Sequence, residues 1–221
     1  MIKIKYDSWD KVTVNVYDRL QSAVANAEVT GIEEVDLVNK EIAIIATLAD
    51  VDEDAIADLT HSEFVRLSKQ CNFISQMPKV DIRDNYTLNG KKYNVFRDIQ
   101  NMTMSQYVDF QLLYKDRDKN FKQLLACFLI PKGKQYGEYN VAEVIEDIGN
   151  HLSITDANSI LFFFVIAFQS LIKTMVNYSI KQMKKLMKQE KDRERAMTIK
   201  EAIEKMEEAA NLANDGVGFT I

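Results

Sequence analysis

Four side chains could supply acid–base, nucleophilic or metal chemistry: His61, His151, Cys71 and Cys127, the only imidazoles and thiols in 221 residues. Zinc binding and base-assisted nucleophilic attack both need such groups at set spacings, as in two histidines one helical turn apart with a glutamate between them. Neither histidine lies in an HExxH or HxxxH pattern. His61 falls at the start of a predicted helix and His151 just past the end of another, which marks both as surface residues near helix ends. The cysteines are far apart and flanked by apolar neighbours. They read as buried free thiols of a reducing compartment, since a reactive thiolate needs exposure and nearby positive charge. No catalytic residue, no cofactor and no metal is expected from this set.

Carboxylates and glycines add little chemistry. DVDEDAIADL (50–59) superficially resembles a calcium loop but lacks the central glycine and terminal glutamate of an EF-hand. Asp52, Glu53 and Asp54 suit the first turn of a helix, where negative charge meets the positive end of the dipole. Asp116, Arg117 and Asp118 make a polar joint between two helices. Gly133 and Gly137 follow a predicted helix. A phosphate-cradling loop needs a strand before its glycines and a helix after them.

The concentrated basic segment is 181–195, with Lys181, Lys184, Lys185, Lys188, Lys191, Arg193 and Arg195. Glu190, Asp192 and Glu194 interleave its distal half, as on a solvated helix with i,i+4 pairs. Met183, Leu186 and Met187 run along the same segment, and methionine packs adaptably against varied partners. The residues expected to bind a partner are therefore Met183, Leu186, Met187, Lys184, Lys185 and Lys188. A partner-helix interface ranks first, and a nucleic-acid contact tracking phosphates with the 181–195 helix is the alternative.

These residues need elements to hold them, and the chain carries few breakers: two prolines and seven glycines. Apolar residues are 47% and charged residues 28%, with a net charge of −5, which excludes a collagen-like fibre, a disordered acidic tail and a disulfide scaffold. The start MIKIKYDSWD has no apolar export core, so secretion is not expected. Residues 1–6 alternate as a half-buried strand, and Thr13 opens a helix to about Asn26. Val35, Leu37, Val38, Ile42, Ile45 and Leu48 follow the helical period, and a short helix begins at Asp52. Thr60-x-x-Glu63 is a capping box for a helix reaching about Gln76 before Pro78. Asn89-Gly90 between two β-prone runs predicts a hairpin over about 84–97, paired with residues 1–6 or packed on helices.

Thr103 opens a helix carrying Tyr107, Phe110, Leu112 and Leu113, and a second runs from about Lys119 to Pro131. Val141–Ile148 is amphipathic with Gly149 placed to end it. The longest helix starts at Asp156 and runs to about Arg195. Its block ILFFFVIAF (160–168) is apolar all round, which calls for burial on every side. Nine apolar residues fall well short of the roughly twenty a bilayer span requires, so no membrane is expected. Thr198-x-x-Glu201 caps a last helix. The expected fold is mainly α with a small β-hairpin (α+β): a helical globular body, 1–172, and a long helical C-terminal extension, 173–221.

Two stretches carry a family likeness. NVFRDIQNMTMSQYVDF (94–110) followed by NFKQLLACFLIPKGKQYGEY (120–139) resembles small morphogenesis and virion-associated proteins of tailed phages, tail-assembly-chaperone-like proteins among them. The Lys-, Ile- and Asn-rich usage is similar to that of crAss-like gut phages. The resemblance covers about 85–172. It implies a non-enzymatic role in the virion or the infected host cytoplasm, as an assembly chaperone or a structural or packaged protein. The partners it implies are tail, portal or ring proteins, with a homo-oligomer also open.

Overall fold

The computed structural model describes residues 1–98, 101–117, 119–189, 197, 198 and 200–205, with the backbone only for 165–178 and 187–189. It is mainly helical with one small antiparallel sheet. The order is α1 Val14–Asn26, α2 Glu33–Ala49, α3 Glu53–Ala57, α4 His61–Gln70, a 3-10 turn Asn72–Ser75, β1 Asn85–Leu88, β2 Lys91–Val95, α5 Met104–Tyr114, α6 Phe121–Ala126, β3 Leu129–Pro131, α7 Val141–His151 and α8 Ile154–Gln189. Two compact units result, Met1–Phe162 and Phe163–Ile221.

The hairpin forms where the Asn-Gly pair places it. Asn89 and Gly90 both have positive φ, 49° and 73°, as a type I′ turn demands. Asn85 pairs with Asn94 and Leu88 with Lys91. Its third strand is β3, with Val95 opposite Leu129 and Tyr93 opposite Pro131. The helix expected to continue to Pro131 thus stops at Ala126. The run from Leu124 to Ile130 is buried end to end, so periodicity could not separate helix from strand there. Pro131 ends β3, where its lack of an N–H is tolerated.

Residues 1–6 alternate between exposed and half-buried but are not a strand, because Lys5 N–H and Tyr6 N–H both donate to the single carbonyl of Leu48. An extended bridge forms elsewhere: Val14 N–H donates to Leu152 O, and Ile154 N–H to Val12 O. This pairing explains the β-branched approach to α1, with Val12 and Val14 fully buried. The Thr60 capping box is present, Thr60 Oγ1 accepting from Glu63 N–H, although α4 ends at Gln70 and a 3-10 turn follows. Gly149 does not terminate α7; the helix runs to His151, and a Cβ at 149 would stand 2.5 Å from Asn15 Oδ1. That glycine allows α1 and α7 to approach closely.

Helix α8 begins two residues before Asp156, with Ser153 as the cap: its Oγ accepts from Asp156 N–H and donates to the Asp156 carboxylate. Ile160 and Phe164, one turn apart, are buried, whereas Phe162 on the opposite face is exposed. Over 160–164, the part of the block whose side chains are described, Phe162 thus departs from the expectation of burial all round; the side chains of 165–168 lie outside the described residues. The expected end near Arg195 lies outside the described residues. Thr198 is itself helical, so it does not cap a helix starting after it.

Candidate functional site

The four chemistry-capable side chains stay apart. His61 is the exposed first residue of α4, and His151 the exposed last residue of α7. Both thiols are buried. Burial, reinforced by Glu41, pushes the Cys71 thiol up to about 12. Burial likewise raises Cys127 to about 11, although a contact with the Tyr136 hydroxyl pulls the other way. A thiol held protonated at neutral pH is a poor nucleophile. Asp50, from the acidic run, occupies a left-handed position at the end of α2, where Lys5 and Arg19 bracket its carboxylate at 2.6 and 3.1 Å. Among the described residues no group of three His, Cys, Asp or Glu could hold a metal ion.

One buried polar cluster was missed in the sequence. Asp147 on α7 is buried and receives three donors from the hairpin: Asn89 Nδ2 at 3.0 Å, Lys91 Nζ at 3.0 Å and the Tyr93 hydroxyl. Burial by itself would raise this carboxyl, but Tyr93, Lys91 and Asn89 outweigh it and hold it below its ordinary value. Burial, and then Asp147, push the Tyr93 hydroxyl well above its usual range. Such a site is a latch, since its donors already satisfy the carboxylate and none is poised to exchange a proton near neutrality. The signal was a carboxylate at a core position: Val144, Asp147 and Ile148 share one helical face by i, i+3, i+4 spacing.

Exposed apolar rows are the other departure from expectation. In α5, Gln106 and Phe110 face inward, and Gln106 Nε2 donates to Cys127 O at 2.7 Å. Met104, Val108 and Leu112, spaced i, i+4, i+8, form a row exposed by 73%, 47% and 59%. Helix α5 is apolar on two faces and only one is used. In α2, Leu37 and Val38 are 59% and 45% exposed, and Val35 is exposed too, although all three follow the helical period. Burial in α2 begins at Ala43, so its first turns carry an apolar pattern with no cover.

The expected partner-binding residues lie on α8. Lys184, Lys185 and Leu186 are exposed, and Met183 is half-buried. The side chains of Met187 and Lys188 lie outside the described residues. Residues 173–189 hold five lysines and no carboxylate. Among the described residues no helix is long and apolar enough to cross a membrane. Comparison with family models, curated proteins and solved structures gives no match.

Proposed function

We propose that this chain is a non-enzymatic interaction protein of a tailed phage, acting in the virion or during its assembly through contacts with tail, portal or ring components. The observation that carries the reading is the α5 row: three large apolar side chains, regularly spaced and uncovered. Surface apolar residues scattered singly need no explanation, whereas an aligned row on one helix is a contact surface in want of a partner. Helix α5 lies within the stretch that resembles phage morphogenesis proteins, and the protonated thiols fit a role without chemistry of their own. Quantitative mass spectrometry of purified particles, with co-purification from infected cells, tests it. Fixed copy number or stoichiometric recovery with a tail, portal or ring protein is expected. Absence from both overturns the reading.

The lysines of 173–189 favour a second reading, nucleic-acid binding. It requires DNA affinity that falls steeply with salt as phosphate counterions are displaced, and loss of binding in K184E/K185E/K188E. Titration at two salt concentrations decides it.

A further inference from the structure

Helix α2 carries an apolar seam along its length, and only its C-terminal part is covered. Val35, Val38, Ile42, Ile45 and Ala49 follow one another at alternating steps of three and four residues, the a and d positions of a heptad. A row of that period stays on one side of a helix and is the pattern by which a second helix packs along it. At the C-terminal end the seam is core: Ile45 and Ala49 are buried, and α1 packs against α2. Ile42 is half-buried, whereas Val38 and Val35 are 45% and 40% exposed. The cover runs out while the sequence pattern continues, and every residue concerned lies within the unit Met1–Phe162.

The same register sorts the charges. The g positions flanking the open part are Glu34 and Glu41, and the e position is Asn39, whose Nδ2 donates to Glu28 O at 3.1 Å. Lys40 falls at f and Leu37 at c, on the side of the helix turned away from the seam. Lys40 also stands one turn after Asp36 and helps hold that carboxyl below its ordinary value, behind the Thr30 hydrogen bonds that do most of it. The loop leading into the seam is tied down by Asp36, which accepts from Thr30 N–H at 2.6 Å, Thr30 Oγ1 at 2.8 Å and Gly31 N–H at 3.3 Å. Thr30 Oγ1 in turn accepts from Ile32 N–H. So anchored, Val29 and Ile32 stand 74% and 57% exposed. Apolar side chains held in solvent by an ordered loop are preorganised for a partner, because the ordering cost precedes binding.

We infer that the open part of the α2 seam docks an amphipathic helix of a partner protein, one whose apolar stripe is flanked by lysine or arginine. Val35 and Val38 give that stripe the packing that Ile45 and Ala49 find within the chain. Its cations meet Glu34 and Glu41 at the edge of the seam, where e and g charges choose partner and orientation. The same carboxylates disfavour an anionic membrane or a nucleic acid as occupant. This surface is separate from the α5 row, and the inference does not rest on the phage assignment.

The test titrates the purified full chain into labelled three-heptad peptides, with Leu at a and d and either Lys or Glu at e and g, and follows fluorescence anisotropy. The Lys peptide should bind, and the Glu peptide should bind about tenfold more weakly or worse. V35D and V38D should each weaken the Lys peptide by about tenfold or more. E34K should weaken it about threefold, and because Glu34 is fully on the surface it decides the matter even if a valine variant loses stability. L37D and K40E, on the far side of α2, and L112S on α5 should leave binding unchanged. No binding of the Lys peptide, equal binding of the Glu peptide, indifference to V35D, V38D and E34K, or loss in L37D, K40E or L112S overturns the inference. So does self-association of the chain, or adsorption to phosphatidylglycerol vesicles, that V38D abolishes, since either gives the seam another occupant. The measurement uses the isolated chain, so its failure is separable from absence from particles, which overturns the proposed function instead.

Discussion

The hairpin latch and the face of α5 were built from similar material with opposite results. Around Asp147, a buried carboxylate is matched by three donors, and the neighbouring Tyr93, Leu88, Val144 and Ile148 are buried. On α5, Met104, Val108 and Leu112 are as apolar as any core row and remain open. The first region satisfies its groups within the chain; the second leaves apolar area whose burial would be worth about 25 cal/mol per Å². Residue type therefore does not separate core from contact surface here. Position relative to the neighbouring elements does, since α6 and the Cys127–Phe128 segment after it absorb one face of α5 and nothing among the described residues absorbs the other.

The sharpest way to break the latch is Asp147→Ala. It removes the acceptor from the buried Tyr93 hydroxyl and from two further donors, and loss of a buried charged acceptor costs about 3 kcal/mol. Urea unfolding should show that loss. Asp147→Asn, which retains shape and one acceptor, should lose less. The pH dependence follows in sign. Asp147 is held below its ordinary value in the fold, so its contribution is fully present above the unfolded carboxylate value and is lost as pH falls through the folded one. Asp156 behaves oppositely. Burial raises it against the pull of Ser153 and Arg83, so protonation favours the fold, and its contribution is lost as pH rises through the raised value. Acid titration of D147N should therefore show a smaller low-pH decline than the wild type, the remainder coming from carboxylates such as Asp36 and Asp50 that the fold also holds below their ordinary value.

Smaller effects come from close packing and backbone. Gly149→Ala places a methyl against the Asn15 amide, which already accepts from Lys122 Nζ and donates to Asn150 Oδ1. Either α1 and α7 separate or that network breaks, at about 1–2 kcal/mol for overpacking of this kind. Gly90→Ala meets nothing within 4 Å and is disfavoured solely by its φ of 73°, so about 1 kcal/mol is expected. Urea midpoints of the two variants, measured together, separate crowding from conformational strain.

Local signals in the sequence were legible where a few adjacent residues decide the outcome. Asn89-Gly90 specified a turn, Thr60 and Thr103 specified helix starts, and the thiols were rightly placed in the interior. Signals that depend on distant partners were not. The Leu124–Ile130 run became strand from Leu129 because β2 had an edge to fill, and Gly149 was taken for a helix end because Asn15 is remote in sequence. The exposed rows were illegible for the same reason: a 3.6-residue apolar period says that a face must be covered, without saying by which chain. The α8 residues Lys184, Lys185 and Leu186 were singled out from charge and spacing alone. The exposure of Leu37 and Val38 on α2 was hidden, because both follow the apolar helical period of ordinary core residues.

The smallest expected change in stability is on the α5 face, and it separates the two regions most cleanly. Leu112→Ser removes an apolar side chain that is already 59% exposed, so the chain should keep its urea midpoint to within about 0.5 kcal/mol. In Phe110→Ser, one face away, the same chemistry falls on a buried ring packed at 5.4 Å from Phe128, and a loss of about 3 kcal/mol is expected. The order reverses in co-purification from infected cells. Recovery of the partner should drop at least tenfold for Leu112→Ser, since a contact residue near the centre of an interface is worth about 1.4 kcal/mol or more. If Leu112→Ser leaves recovery at the wild-type level while stability is also unchanged, the open row on α5 binds nothing, and the contrast with the latch reduces to a difference in how much of each helix the sheet happens to cover.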